Sequence, residues 1–98
     1  MAAYFIVDVD VHDQQGIEAY RKGVPATVAK YGGRFLVRGG AWSRLEGQWE
    51  PKRLVILEFP SMEQARRWYD SEDYHELKAL RGRTARTQLV LVEGVAGA

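Results

Sequence analysis

Seven side chains of this sequence carry groups suited to holding or turning over a small polar molecule: Tyr4, Asp8, Arg38, Glu58, Tyr74, His75 and Arg81. Arginine presents a planar fork of donors that fits an anionic or carbonyl oxygen, so Arg38 and Arg81 are read as substrate-holding groups. Tyr4 and Tyr74 are placed in the same pocket as binding residues. Glu58, Asp8 and His75 are the candidate proton carriers. An imidazole with its ordinary pKa near ~6.5 exchanges protons at neutral pH. A competing reading makes Asp8, Arg34, Arg38 and Glu58 a structural ion-pair network that fixes strand register, because an unpaired charge between closed sheets would be costly.

Other chemistries fare worse. Ser71 and His75 stand four residues apart, a spacing that invites a nucleophile and a base. Ser71 is better explained as a helix N-cap, and no carboxylate is placed to orient His75, so a Ser-His hydrolase is set aside. His12 and His75 are the only histidines and cysteine is absent, which argues against a metal site, a disulfide or a thiol nucleophile. The glycine-rich segments lack the Gly-Lys-Ser/Thr of a phosphate loop. No cofactor or metal is therefore expected. Lys78, Arg81, Arg83 and Arg86 form a modest basic run, read as a solvated face apart from Arg81. With a net charge of +1, nucleic acid and anionic membrane are not expected partners.

The elements that must position these groups are set by periodicity. Tyr4 to Val11 alternates, with Phe5, Val7, Val9 and Val11 on one face and Tyr4, Ile6, Asp8 and Asp10 on the other, which predicts a first strand. Asp13 is the expected N-cap of a helix over Gln14 to Tyr31, whose apolar stripe is Ile17, Tyr20, Val24, Val28 and Tyr31. Pro25 lies inside it and should kink it, and Gly32-Gly33 should end it. Arg34 to Arg38 reads as a second strand, with Arg34, Leu36 and Arg38 on one face and Phe35 and Val37 on the other, followed by a bulge at Gly39-Gly40. Ala41 to Glu46 is expected to continue extended and to turn at Gly47-Gln48. Trp49 to Lys52 would lead back, with Trp42 and Trp49 packed across a dimer edge, the favoured placement for aromatic residues, or over the cavity mouth.

Arg53 to Phe59 is the third strand, stopped by Pro60. Ser61 and Gln64 form a capping-box pattern before a helix that buries Met62, Ala65, Trp68 and Tyr69. Ser71 caps a further short helix that buries Tyr74, Leu77 and Leu80 and closes at Gly82. Thr87 to Glu93 is the last strand, and Val95 to Ala98 should be loose. Residues 1–98 thus read as one domain, 46% hydrophobic and 28% charged, of the α+β class in β-α-β-β-α-β order. Neither a signal peptide nor a membrane span is read, so a cytoplasmic protein is expected.

Three segments together carry a resemblance: Tyr31 to Gly40, Arg53 to Ser61, and Trp68 to Tyr74, with Glu46-Gly47 and Arg81 in step. The chain from about Tyr4 to Gly94 resembles the domain-of-unknown-function family thirteen-thirty, within the dimeric ferredoxin-like α+β barrels. Many relatives have proline after the serine corresponding to Ser71, where this chain has Glu72. The resemblance implies a four-stranded antiparallel sheet, a hairpin extension and a homodimer. Neighbouring barrel families include cofactor-free monooxygenases, isomerases and decyclising enzymes, an analogy from fold. Two helices cover one sheet face, leaving Tyr4, Ile6, Leu36, Leu54 and Ile56 in water and inviting sheet-to-sheet dimerisation. Two functions are consistent with this. One is a homodimer binding a small aromatic or anionic molecule in a cavity on the open sheet face, as a cofactor-independent enzyme of monooxygenase or isomerase type. The other is a non-catalytic dimerisation or ligand-sensing module.

Overall fold

A computed structural model describes residues 1–96. Its elements run β1 (Ala3–Val11), α1 (Glu18–Lys30), β2 (Arg34–Arg38), β3 (Leu54–Phe59), α2 (Met62–Tyr69), α3 (Glu72–Thr84) and β4 (Ala85–Glu93). The sheet is antiparallel in the order β2-β3-β1-β4, and the helices lie on one of its faces. The protein is a two-layer ferredoxin-like α+β fold, with principal extents of 38 × 38 × 16 Å. None of the described helices is long and apolar enough to cross a membrane.

The alternation of β1 decides which face meets the helices. Ala3, Phe5 and Val7 are buried, while Tyr4, Ile6 and Asp8 are half-buried on the other side. Beneath the helices Phe5 packs edge-on to Phe59 and Trp68, and Trp68 stacks on Tyr74 with ring centroids 4.1 Å apart. The indole N–H of Trp68 donates to the Thr27 hydroxyl (3.0 Å), which donates to the Val24 carbonyl (2.8 Å), so no polar atom of that pair is left unpaired.

Helix ends obey the expected chemistry with some displacement. The Asp13 carboxylate accepts from Gly16 N–H (2.9 Å), closing a turn over residues 14–17, and α1 itself begins only at Glu18. Gly32 adopts φ +80° after α1, and Gly33 N–H returns to the Val28 carbonyl (2.9 Å) as in a Schellman end. The Ser61 and Ser71 hydroxyls accept from Gln64 N–H (3.1 Å) and Tyr74 N–H (3.2 Å). The α3 helix runs past Gly82 to Thr84, and β4 starts at Ala85, two residues before the expected Thr87.

Two departures matter for the site. The bulge of β2 falls at Leu36, between the pairs Phe35–Leu57 and Val37–Ile56, and not at Gly39-Gly40. One extra residue reverses the odd-even order of the strand beyond it. Arg34 stays on the open face, Val37 joins it, and Arg38 turns under the helices. Residues 41–52 form an irregular arm without strand pairing, fastened by the Arg44–Glu50 ion pair at 2.9 Å. Its Trp42, Leu45 and Trp49 are exposed.

Candidate functional site

Between the sheet and the helices lies a cavity of about 50 Å³. The β1 residues Val7 and Val9, with Phe35, Val55, Leu57 and Leu89, form its floor; Tyr20 and Val24 of α1 and Ile17 just before it, with Trp68, Tyr74 and Arg81, form its roof. It shares Val9, Val11, Arg21 and Arg53 with a wider cleft of about 540 Å³ that is also walled by Gly39 to Trp42 of the arm. The inner cavity thus opens outward past Arg21 and Arg53.

Its polar groups are few and convergent. The Tyr20 and Tyr74 hydroxyls are 2.7 Å apart. Burial pushes both pKa values above that of free tyrosine, and for Tyr74 the neighbouring Tyr20 adds to the rise. Both phenols therefore remain protonated hydrogen-bond donors at neutral pH. Beside them is Arg81, only 8% exposed, whose Nε is buried with no hydrogen-bond partner. Among the described residues the ion pairs are Arg21–Glu18, Lys30–Asp73, Arg34–Glu58 and Arg44–Glu50; none includes Arg38, Arg53 or Arg81.

The placement of Arg38 traces to Pro25. In an α-helix the Arg21 carbonyl would accept from the N–H of residue 25, and proline has none. That carbonyl accepts instead from Arg38 Nη2 at 2.8 Å. The guanidinium also lies 4.5 Å from the centre of the Phe35 ring. A proline inside the helix thus leaves free the acceptor that holds the Arg38 guanidinium. Arg53 takes its place through Gly39: a Cβ there would overlap the Arg53 guanidinium, and Gly39 has φ +73°. Burial, and then the like charges of Arg21 and Arg38, lower the Arg53 pKa.

The seven residues expected to share one pocket are divided by the sheet. Arg38, Tyr74 and Arg81 line the cavity on the helix side. Tyr4, Asp8 and Glu58 lie on the opposite face, and His75 is exposed on α3. Glu58 is engaged with Arg34 (Nε to Oε1 2.6 Å), and this bond, then one from the Tyr4 hydroxyl, holds its carboxyl below the usual range. The bond to Glu58 is likewise the main cause of a raised Tyr4 pKa. Asp8 accepts from Lys52 N–H (2.8 Å), Arg53 N–H (3.3 Å) and the Trp49 indole (3.2 Å), which fastens the returning arm to β1. The Ser71 hydroxyl donates to the Trp68 carbonyl (2.7 Å) while accepting from Tyr74 N–H, so it is occupied at both ends. The cavity under the helices includes Arg38 because the bulge carries that residue to the helix side.

Tyr20, Arg21 and Arg53 line the cavity without having been singled out as binding groups. A tyrosine midway along the apolar stripe, and a proline four residues after Arg21, are the signals that point to Tyr20 and Arg21. Among the described residues no group of His, Asp and Glu is clustered so as to hold a metal.

Fold and site define a ferredoxin-like α+β protein with an arginine-rich cavity under its helices. Residues 2–95 match the sequence profile of the Domain of unknown function (DUF1330), and the chain belongs to that family. No curated protein matches it. A protein of unknown function from Rhodopseudomonas palustris has a similar structure, with TM-score 0.77 and 16% identity over 96% of this chain and 82% of that one. A dimeric ferredoxin-like protein of unknown function from a Jannaschia species has TM-score 0.71 and 11% identity, over 96% of this chain and 100% of that one. SnoaB, a cofactor-independent oxygenase from Streptomyces nogalater, has TM-score 0.66 and 12% identity over 96% and 93% of the two chains.

Proposed function

We propose that this protein is a homodimer that binds a small organic anion, with an apolar body, in the cavity between its sheet and helices. The observation that carries the reading is Arg81. A buried donor without a partner costs about 1–3 kcal/mol; among the described residues its Nε has none, and its side chain lines a cavity otherwise apolar but for the Tyr20–Tyr74 hydroxyls and the guanidinium groups at its mouth. A carboxylate or an enolate oxygen would satisfy it, with the phenols as further donors. Apolar walls with a few convergent polar groups are the usual make-up of a small-molecule site. Self-association is placed on the open sheet face, where Leu36, Val90 and Val92 are exposed beside Ile6 and Ile56. The Jannaschia neighbour, described as dimeric, supports that part.

A second reading, cofactor-independent catalysis of the monooxygenase or isomerase type, draws on SnoaB and on the tyrosine pair. Two protonated phenols and a guanidinium can stabilise an oxygen that gains negative charge during reaction. In this version Arg38 and Arg81 hold the substrate and Tyr74 donates to it; Glu58, Asp8 and His75, outside the cavity, have no part in proton transfer.

Titration calorimetry with octanoate, benzoate and their neutral amides tests the binding claim. The acids should bind wild type, the amides should bind at least tenfold more weakly, and Arg81→Met should abolish the difference. Equal binding of acids and amides, or no binding of either, would overturn it.

A further inference from the structure

The cavity carries more positive charge than one carboxylate can balance, and carries it on two flanks. Arg81 comes from α3, which packs against β4, whereas Arg38 and Arg53 come from the β2–β3 side under α1. Among the described residues none of these three has a carboxylate partner, and Glu18, paired nearby, is exposed and bound to Arg21. The inner cavity is also small: at about 50 Å³ it has room for only a few water-sized groups. A ligand anchored on Arg81 must therefore extend past Arg53 into the wider cleft.

We infer that the ligand carries two acidic groups separated by an apolar spacer, one on Arg81 with the tyrosine hydroxyls and the other on Arg53 and Arg38 at the mouth. This rests on the anion-binding reading above and names its substrate class. Each guanidinium offers a planar fork matched to a carboxylate. The outer pair is held in place before any ligand arrives, Arg38 by the Arg21 carbonyl and Arg53 by the space that Gly39 leaves. Prior placement of this kind lowers the ordering cost of binding. The valines, Phe35 and Leu57 between the two ends suit methylene or aryl carbons and offer no hydrogen bond to a polar linker.

The test compares straight-chain monoacids, butanoate to octanoate, with α,ω-diacids, glutarate to suberate, by calorimetry on wild type, Arg53→Met and Arg81→Met. The inference expects one diacid length to bind at least tenfold more tightly than the monoacid of equal carbon number. Arg53→Met should erase that advantage, whereas Arg81→Met should weaken both series. Monoacids binding as tightly as every diacid, with Arg53→Met silent, would overturn the two-ended ligand while leaving the anion site standing. Failure of both series on wild type would overturn both readings. Urea denaturation of each variant separates loss of binding from loss of fold.

Discussion

Replacing Arg81 by methionine should make the unliganded protein more stable while removing its affinity for organic acids. The guanidinium is 8% exposed, its Nε has no acceptor, and no ion pair includes it. An unmade buried hydrogen bond costs about 1–3 kcal/mol, and apolar replacement of buried charged groups is often neutral or stabilising by about 1–4 kcal/mol. Methionine keeps most of the aliphatic stem and adapts to an irregular space. A gain of about 1–2 kcal/mol is therefore expected. For a domain of 98 residues that is a rise in Tm of about 4–16 °C, taking about 4–8 °C per kcal/mol near this size. Urea unfolding tracked by tryptophan fluorescence measures it, with an unchanged m-value showing that the folded and unfolded states keep their compactness. Arg83→Met on the exposed side of α3 is the control, expected within about 0.5 kcal/mol of wild type. A loss of 1 kcal/mol or more in Arg81→Met would show that the arginine holds the fold together, and the reasoning from its unmet Nε would fail.

Three other perturbations have outcomes set by the same structure. Pro25→Ala restores an N–H that competes with Arg38 for the Arg21 carbonyl; removing an interior proline is worth about 3 kcal/mol and losing a charged hydrogen bond about 1.5–3 kcal/mol. Urea unfolding should therefore show stability unchanged or modestly raised, with diacid affinity reduced several-fold in calorimetry; unchanged diacid affinity would detach Arg38 from the site. The raised pKa values of Tyr20 and Tyr74 give stability that is present below the unfolded tyrosine value near ~10 and is lost as pH climbs from there toward the folded values. Wild type should lose up to about 1.4 kcal/mol per pH unit for each phenol above pH ~10, and a Tyr20→Phe/Tyr74→Phe variant should lose less in the same titration. Val90→Arg places a charge on the open sheet face, opposite Ile6, so sedimentation at micromolar concentration should show dimer for wild type and monomer for the variant. A wild-type monomer would remove the sheet-to-sheet proposal.

Much of the fold was legible because β1 alternates without interruption and the starts of α2 and α3 carry their own capping serines. Phe5 and Val7 had to face the helices, and Ser61 and Ser71 had to cap α2 and α3. The site was less legible because its geometry depends on one residue of slippage. Nothing in Arg34-Phe-Leu-Val-Arg38 marks Leu36 as the bulge, and the glycine pair after it is the more conspicuous place for one. Once Leu36 is extra, Arg38 leaves Arg34 and Glu58 for the helix side. Tyr20 was placed in the buried stripe, but its pairing with Tyr74 needs the packing of α1 against α3. Asp8 shows the reverse: its face was read from parity, while its engagement by Lys52, Arg53 and Trp49 depends on the path of an arm without periodic pattern.

The most direct test is the Nε–H resonance of Arg81 in an ¹⁵N spectrum, monitored as octanoate and then suberate are added to wild-type protein. The resonance should move and become protected from solvent exchange in a saturable way, while that of exposed Arg83 stays still. An Arg81 signal unchanged at saturating concentrations of both acids would contradict an anion site under the helices.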